Sequence, residues 1–419
     1  MPETYAPTTL GLFSLSQDPN FHYETLRSIG LARYMGGDIG EQLNLIPKIK
    51  PGDLESWYRE WRALAGRVLA QIDEDNLDKH SNVTIRDVYF RASHYVFVSD
   101  FFLHGNVNDP RLRENNNLSR KYYDLANARL DIPGEHVLLD TPSGFKVPLI
   151  IYRAAMASAG KPRPTLLVGG GFDSNYEECM HCFGFPALER GYNVILYEGP
   201  GQPTLLHTQK VGFTHDWERV VTPIMDYLFE HQKDTTAFID PNKVGLIGLS
   251  LGGFLSLRAA AFEPRLAAVI AIDGVYSFLE CGLGAAPDLA GPWEKGDAEA
   301  FNAAFETLGP DASTNRRWFH DHMKFSFQEK DPWRIFQTVA KMDLSGGVAQ
   351  RIKMPAFIGE AEGDLFFGDQ PQRVAREIGP NATLVKFGTN QAASAHVQSG
   401  ANAYLNAKIG DWFAGIVGF

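Results

Sequence analysis

The sequence is poor in cysteine, in basic residues and in long apolar runs. It has 3 cysteines among 419 residues, too few for the disulfide framework of a secreted scaffold. Lys and Arg number 39 against 50 Asp and Glu, a net charge of −11, which argues against a nucleic-acid-binding protein. No apolar run approaches the roughly 20 residues of a membrane span, and the N-terminus lacks the pattern of a secretory signal. We therefore expect a cytoplasmic protein that binds neither nucleic acid nor membrane.

Residues 1–132 have the periodicity of helices. Apolar side chains recur at spacings of three and four over 54–68, and a second helix is predicted over 84–103. Residues typical of loops follow at 105–110 and at 114–117. The chain is therefore expected to begin with a helical region whose aromatic residues form its core.

The pattern changes near residue 135. A predicted hairpin leads into apolar runs that are separated by helix-length segments. These runs lie at 165–171, 193–199, 244–250, 266–274, 354–363 and 383–388. Near-continuous apolar runs of this kind are typical of a mostly parallel sheet covered on both faces by helices. A last helix is predicted near 397–413.

Between the fourth and fifth runs the alternation gives way to helix-like segments. We therefore predict three parts. They are a helical N-terminal domain over 1–132, an α/β core over 133–274 and 351–419, and a helical lid insertion over 275–350. In doubly wound sheets the active site lies beyond the carboxyl ends of the strands.

A nucleophile motif begins at the end of the third of these runs. Gly248-Leu249-Ser250-Leu251-Gly252 matches G-x-S-x-G, and it lies between a predicted strand and a predicted helix, as a nucleophile elbow requires. Small residues two positions before and after the serine let the strand and the helix approach without a clash. Because a serine alcohol is a poor nucleophile at neutral pH, Ser250 predicts a base elsewhere in the chain.

In folds with this elbow, the three catalytic residues occur along the chain in the order serine, acid, histidine. Three histidines follow Ser250 in the sequence. His320 and His322 fall within the predicted lid, whereas His396 follows the last predicted strand. His396 is therefore the expected base.

The acid is expected after the apolar run 354–363. Asp364 lies just past the end of this run and is the preferred acid, while Glu362 is close enough to remain an alternative. Glu360 falls inside the predicted strand or at its edge. Asp369 lies near a helix start, where the helix dipole favours a carboxylate. The acid would fix the tautomer of the imidazole and stabilise its charged form.

The glycine run at 169–171 predicts an oxyanion hole. A tetrahedral intermediate needs two backbone N–H groups directed at its oxygen. One is expected from Leu251, the residue after the nucleophile, and the other from the loop that follows the strand. Phe172 is the expected donor in that loop, with Gly171 as the alternative.

These motifs together resemble those of a known family, the alpha/beta-hydrolases with a helical N-terminal domain. The group includes the pseudo-oxynicotine C–C hydrolase and fungal polyketide-processing hydrolases. The stretches that carry the resemblance are GGDIGE (36–41), FRASHYVFVSDFFLHG (90–105), GGGFDSNYEE (169–178), YEGPGQ (197–202), HDWERVVTPIMDYL (215–228), GLSLGG (248–253) and EGDLFF (362–367). The family's triad is the serine of GLSLG, the aspartate of GDLFF and the histidine before the last helix, which implies Ser250, Asp364 and His396.

The resemblance implies a serine hydrolase that acts on a bulky, polyketide-derived small molecule and needs no metal or organic cofactor. The bond cleaved would be a C–C bond, by retro-Claisen chemistry, or an ester or thioester. Alternatives on the same scaffold are an acyltransferase or lactone-forming enzyme, a non-hydrolytic cyclase, and a hydrolase-like ligand-binding protein. A homodimer is expected by analogy with relatives.

Overall fold

The computed structural model describes residues 12–309 and 311–419. Within these residues the chain divides into two compact units, 12–134 with 311–325, and 135–309 with 326–419. The division into an N-terminal domain, a core and a lid insertion stays a prediction. The helices are α1 (Pro19–Gly30), α2 (Ile39–Leu45), α3 (Leu54–Leu69), α4 (Asn82–Ser99), α5 (Pro110–Asn127), α6 (Tyr176–Cys179), α7 (Phe185–Glu189), α8 (Pro203–Thr208), α9 (Glu218–Glu230), α10 (Leu251–Phe262), α11 (Phe278–Ala285), α12 (Ala290–Lys295), α13 (Ala298–Glu306), α14 (Thr314–Phe327), α15 (Pro332–Val339), α16 (Gln370–Ile378) and α17 (Asn402–Val417).

The first unit is helical because short polar caps alternate with amphipathic runs. Helix α3 begins after Asp53, whose carboxylate accepts a hydrogen bond from the backbone N–H of Ser56 at 2.9 Å. Trp57 and Trp61 from this helix are completely buried, and their ring centroids lie 5.5 Å apart. The expectation that the aromatic residues pack in a core is confirmed for these two.

The second unit is built on an eight-stranded sheet. Its strands are β1 (Glu135–Asp140), β2 (Lys146–Tyr152), β3 (Arg163–Gly169), β4 (Asn193–Tyr197), β5 (Ile239–Leu249), β6 (Ala268–Ile272), β7 (Ala356–Ala361) and β8 (Ala382–Phe387). They lie in the order β1-β2-β4-β3-β5-β6-β7-β8. Strand β2 is antiparallel to both of its neighbours, and from β4 to β8 every neighbouring pair is parallel. The predicted α/β class, an alpha/beta-hydrolase fold, is confirmed.

The register of the central strands brings their carboxyl ends together. Gly248 of β5 pairs with Ala271 of β6, and Ala271 pairs with Ile358 of β7. Because these strands run in the same direction, the residues that follow them emerge at one edge of the sheet. This edge positions the candidate site.

Two local predictions were wrong. Residues 114–117 were expected in a loop, but they lie inside α5, where buried Asn115 donates a hydrogen bond to Ser99 Oγ at 2.9 Å. The last helix was expected to start near Val397 and starts instead at Asn402. Val397 and Gln398 have positive φ angles of 49° and 52°, which a helix cannot contain.

Among the described residues, no helix has both the length and the apolar character that crossing a membrane requires.

The tight contact at the end of β5 yields a stability prediction. A Cβ atom added to Gly248 would lie 1.9 Å from the carbonyl oxygen of Gly252, so the backbone would have to shift. We expect Gly248→Ala to lower the free energy of unfolding by about 3 kcal/mol or more. Thermal unfolding followed by circular dichroism measures the effect. The control is Gly415→Ala in α17, where nothing lies within 4 Å of the added atom and a gain of up to about 1 kcal/mol is expected. Equal melting temperatures for the two variants would contradict the prediction.

Candidate active site

Ser250 occupies the sharp turn between β5 and α10. Its backbone has φ 57° and ψ −126°, a conformation that non-glycine residues rarely adopt and that is typical of strained functional turns. The backbone N–H of Ser250 donates to the carbonyl of Ile272 in β6 at 3.0 Å. The elbow that the motif predicts is thus formed, and the hydroxyl stands at the start of a helix.

The structure brings His396 to this hydroxyl. His396 lies in a short turn that precedes α17, and its side chain is 5% exposed. Its Nε2 lies 3.0 Å from Ser250 Oγ, and its Nδ1 lies 2.7 Å from Asp364 Oδ2. Since Nδ1 faces carboxylates, it carries the ring proton and Nε2 is left to accept the serine proton.

Asp364 is held by the loop that follows β7. Its Oδ1 accepts the backbone N–H groups of Phe366 at 2.6 Å and Phe367 at 2.8 Å, which leaves Oδ2 to face the imidazole. Burial favours the neutral acid, but the charge of His396 and these hydrogen bonds outweigh it and lower the pKa of Asp364. The backbone N–H of Gly363 donates to the carbonyl of Ser394 at 2.8 Å, so the acid loop and the histidine loop are tied together.

The same carboxylate charge acts on the base. Burial favours the neutral imidazole, yet the charge of Asp364 and the hydrogen bonds to Asp364 and Asp273 prevail and raise the pKa of His396. The rings of Phe366 and Phe367 stand edge-on to the imidazole, with centroids 4.8 and 5.2 Å away. The carboxylates therefore stabilise the imidazolium that forms when Nε2 takes a proton from an alcohol.

The rival acids lie elsewhere in the structure. Glu362 is exposed, and its Oε2 accepts hydrogen bonds from the backbone N–H and the hydroxyl of Thr389 at 2.7 and 3.1 Å. Glu360 accepts a hydrogen bond from Gln372 at 2.8 Å, and Asp369 is exposed at the start of α16. The geometry therefore favours Asp364.

The sequence interpretation missed Asp273, which lies against the same imidazole. Its Oδ2 lies 3.0 Å from His396 Nδ1, and its side chain is 0% exposed. Burial and the charge of Asp364 raise the pKa of Asp273, against the lowering effect of His396. The signal was available, because Asp273 is the acidic residue near the end of the apolar run 266–274, directly after the carboxyl end of β6.

The loop after β3 approaches the elbow as the oxyanion prediction requires. A Cβ on Gly171 would lie 2.6 Å from the carbonyl of Leu249 and 3.3 Å from the backbone N of Leu251, so only glycine fits there. The N–H of Gly171 donates to Ser174 Oγ at 2.8 Å. This bond favours Phe172 over Gly171 as the second oxyanion donor.

The turn after β4 supports this loop. Gln202 Nε2 donates to the carbonyl of Gly171 at 3.2 Å. The buried carboxylate of Glu198 accepts the backbone N–H groups of Tyr176 at 2.9 Å and Thr204 at 2.6 Å. These bonds make residues 198–202 a structural turn that supports the loop after β3.

The two carboxylates and Nδ1 of His396 are also close enough to hold a cation, within 4.8 Å of one another. However, Asp273 and Asp364 each accept backbone N–H groups as well as facing the imidazole. A proton on Nδ1 accounts for the cluster, and we assign no metal ligand to it.

The fold and the site define the class of protein. The sequence profile of the Alpha/beta hydrolase family matches residues 165–398, which include the elbow serine and the histidine. The chain belongs to this family and is a hydrolase.

Relatives and a solved structure agree with the resemblance. The chain is 31% identical over 407 residues to "Hydrolase LUC6" of Fusarium sp, covering 94% of this chain and 95% of the relative. It is 32% identical to the "20-hydroxy-prefusarin hydrolase FUS2" of Gibberella moniliformis, covering 83% of each chain. The fold is similar to the crystal structure of 2,6-dihydroxy-pseudo-oxynicotine hydrolase, with a TM-score of 0.70, 20% identity and coverage of 93% of this chain and 95% of that chain. The family suggested by the motifs is thereby confirmed.

The placement of Glu362 yields a second prediction. Within the part of the chain that the structure describes, the carboxylate of Glu362 is hydrogen-bonded only to Thr389, so Glu362→Gln should leave the reactivity of Ser250 within about twofold of wild type. The measurement is the labelling rate of the protein by a fluorophosphonate, a reagent that reacts with activated serines. A loss of the size that a triad acid produces, on the order of 10⁴, would mean that Glu362 is the acid.

Proposed function

We propose that this protein is a serine hydrolase with Ser250 as nucleophile, His396 as base and Asp364 as the acid that orients it. The observation that carries the proposal is the continuous path from Ser250 Oγ to His396 Nε2 at 3.0 Å and from Nδ1 to Asp364 at 2.7 Å. A base that bonds the nucleophile and is itself oriented by a third group is the general signature of nucleophilic catalysis.

The reaction follows from this geometry. His396 Nε2 takes the proton of Ser250 Oγ while the oxygen attacks a carbonyl carbon of the substrate. The negative oxygen that forms is stabilised by the backbone N–H groups of Leu251 and Phe172. When the intermediate collapses, the bond to the leaving group breaks and the imidazolium returns its proton to that group. Water then attacks the acyl group on Ser250 by the same steps, which releases the carboxylic acid product and restores the serine.

The surroundings of the site support a bulky, apolar substrate. The ring of Phe172 lies 5.4 Å from Phe278 and 5.7 Å from Phe213, centroid to centroid, and Phe327 extends the same cluster at 6.4 Å. Small-molecule sites are mostly apolar with a few polar groups that fix orientation. Together with the fungal relatives, one of which is named a 20-hydroxy-prefusarin hydrolase, this cluster supports a polyketide-type small molecule.

We propose two bond classes for the cleavage. If the leaving group is an enolate, the reaction is a retro-Claisen cleavage of a C–C bond, and if it is an alcohol or thiol, the reaction is ester or thioester hydrolysis. Mass spectrometry of the products from matched 1,3-diketones, esters and thioesters separates these classes. Transfer of the acyl group to an added alcohol would indicate an acyltransferase. The cytoplasmic location and the homodimer stay predictions.

The test of the nucleophile is the Ser250→Ala variant. We expect it to lose fluorophosphonate labelling and to reduce turnover by on the order of 10⁴–10⁶, because no alcohol remains to attack. Ser256→Ala is the matched control, since Ser256 is a buried serine of α10 that donates to the carbonyl of Gly253, and it should still be labelled. Near-normal turnover by a folded Ser250→Ala protein would support a cyclase that uses His396 alone.

A further inference from the structure

We propose that Asp273 is a second carboxylate partner of His396, a positioning residue that holds the imidazole together with Asp364. The inference rests on the proposed function, because it assigns a role at the same site. A triad of this type needs one carboxylate at Nδ1, and this structure supplies two.

His396 Nδ1 is hydrogen-bonded to Asp364 and has Asp273 as a second carboxylate within ion-pair distance. His396 Nδ1 lies 2.7 Å from Asp364 Oδ2 and 3.0 Å from Asp273 Oδ2. Both contacts are within hydrogen-bond range, and both carboxylates are almost completely buried, with side chains 3% and 0% exposed. If either carboxylate is neutralised, the other still faces the N–H and can keep the ring in the same tautomer.

The sheet explains how two acids reach one nitrogen. Strands β6 and β7 are parallel neighbours, with Ala271 of β6 paired with Ile358 of β7. Asp273 follows the end of β6 and Asp364 follows the end of β7. Both acids therefore project from the same edge of the sheet, where the elbow holds Ser250.

The backbone around Asp273 is held in an unfavourable conformation. Asp273 has φ 60°, and the two residues after the histidine, Val397 and Gln398, have φ 49° and 52°. A positive φ is a genuine outlier for a β-branched residue such as valine. The N–H of Val397 and the side-chain amide of Gln398, the latter at 3.2 Å, both donate to the Asp273 carboxylate. Strain of this kind persists where surrounding structure fixes a functional geometry.

The charges around Asp273 determine whether this carboxylate raises or lowers the proton affinity of His396. The groups that hydrogen-bond Asp273 all donate to it, which favours the ionised form. Burial and the neighbouring charge of Asp364 raise the pKa of Asp273 to about 6, so the carboxylate is ionised above that pH. Among the residues that the structure describes, Cys281 of α11 is close enough for the charge of Asp364 to act on it, and burial raises the pKa of its thiol, so the thiol is neutral. The elbow contributes the neutral hydroxyl of Ser250. Asp273 therefore adds negative charge next to the imidazole and increases its affinity for a proton.

The first experiment measures the pH dependence of labelling by the fluorophosphonate in the full-length protein. Labelling needs a neutral His396, so the rate falls on the acid side as the imidazole gains a proton. In Asp273→Asn one stabilising charge is lost, so we expect this acid limb to move to lower pH by about one unit. Asp369→Asn, at an exposed position, is the control and should leave the limb in place. A residue that only supports the fold would change the height of the profile and not the position of its limb.

The second experiment removes the acids singly and together. Replacing the only carboxylate of a triad by an amide costs roughly 10⁴ in rate. With Asp273 in reserve, Asp364→Asn should lose only about 10- to 100-fold, and the double variant Asp273→Asn with Asp364→Asn should lose the full factor of roughly 10⁴. Because the single Asp364→Asn variant retains Asp273, its rate loss tests the proposal even if Asp273→Asn fails to fold.

The outcomes separate the two proposals. An unshifted acid limb in a folded Asp273→Asn protein, or an Asp364→Asn rate already as low as that of the double variant, overturns the role of Asp273 and leaves the serine hydrolase standing. If the wild-type protein is not labelled at Ser250, the proposed function fails and this inference fails with it.

Discussion

The hydrogen bond between Ser250 Oγ and His396 Nε2, 3.0 Å long, is the contact on which the candidate site depends. The two residues are separated by 146 positions in the sequence, and the sheet is what joins them. Parallel strands end at a common edge, so the turn after β5 and the loop after β8 are brought to one place. The hydroxyl, the imidazole and the acids are all supplied by residues that follow such strand ends.

The site is held by an unusually constrained backbone. Ser250, Asp273, Val397 and Gln398 all have positive φ, and each belongs to the site or to its hydrogen-bonded surroundings. Residues in such sparsely populated regions cost about 1–3 kcal/mol each, so the buried sheet must offset them. The loops are fixed by backbone hydrogen bonds. The N–H of Gly363 donates to the carbonyl of Ser394, and the N–H groups of Phe366 and Phe367 donate to Asp364. A rigid edge of this kind suits a base that must meet its nucleophile within hydrogen-bond distance.

The electrostatics of the site come from burial and pairing together. Water around a carboxylate would weaken its effect on a nearby imidazole, but Asp273, Asp364 and His396 are all almost fully buried. Attraction between opposite charges is stronger in such surroundings, so the acids can control the protonation of the base. The aromatic rings of Phe366 and Phe367 keep that environment apolar on another side of the imidazole.

The sequence by itself predicted the sheet and three candidate site residues. Apolar runs marked the strands, and the G-x-S-x-G turn and the chain order predicted Ser250 and His396, with Asp364 as the preferred acid and Glu362 as the alternative. Local patterns failed where tertiary contacts override them, since Asn115 is buried against Ser99 inside α5 and the strained turn at Val397 delays α17. Only the tertiary structure decided that Glu362 faces Thr389 and that Asp273 joins the imidazole. The physical reason is that strand register, which sets the distances between residues far apart in the chain, is not written in any local pattern.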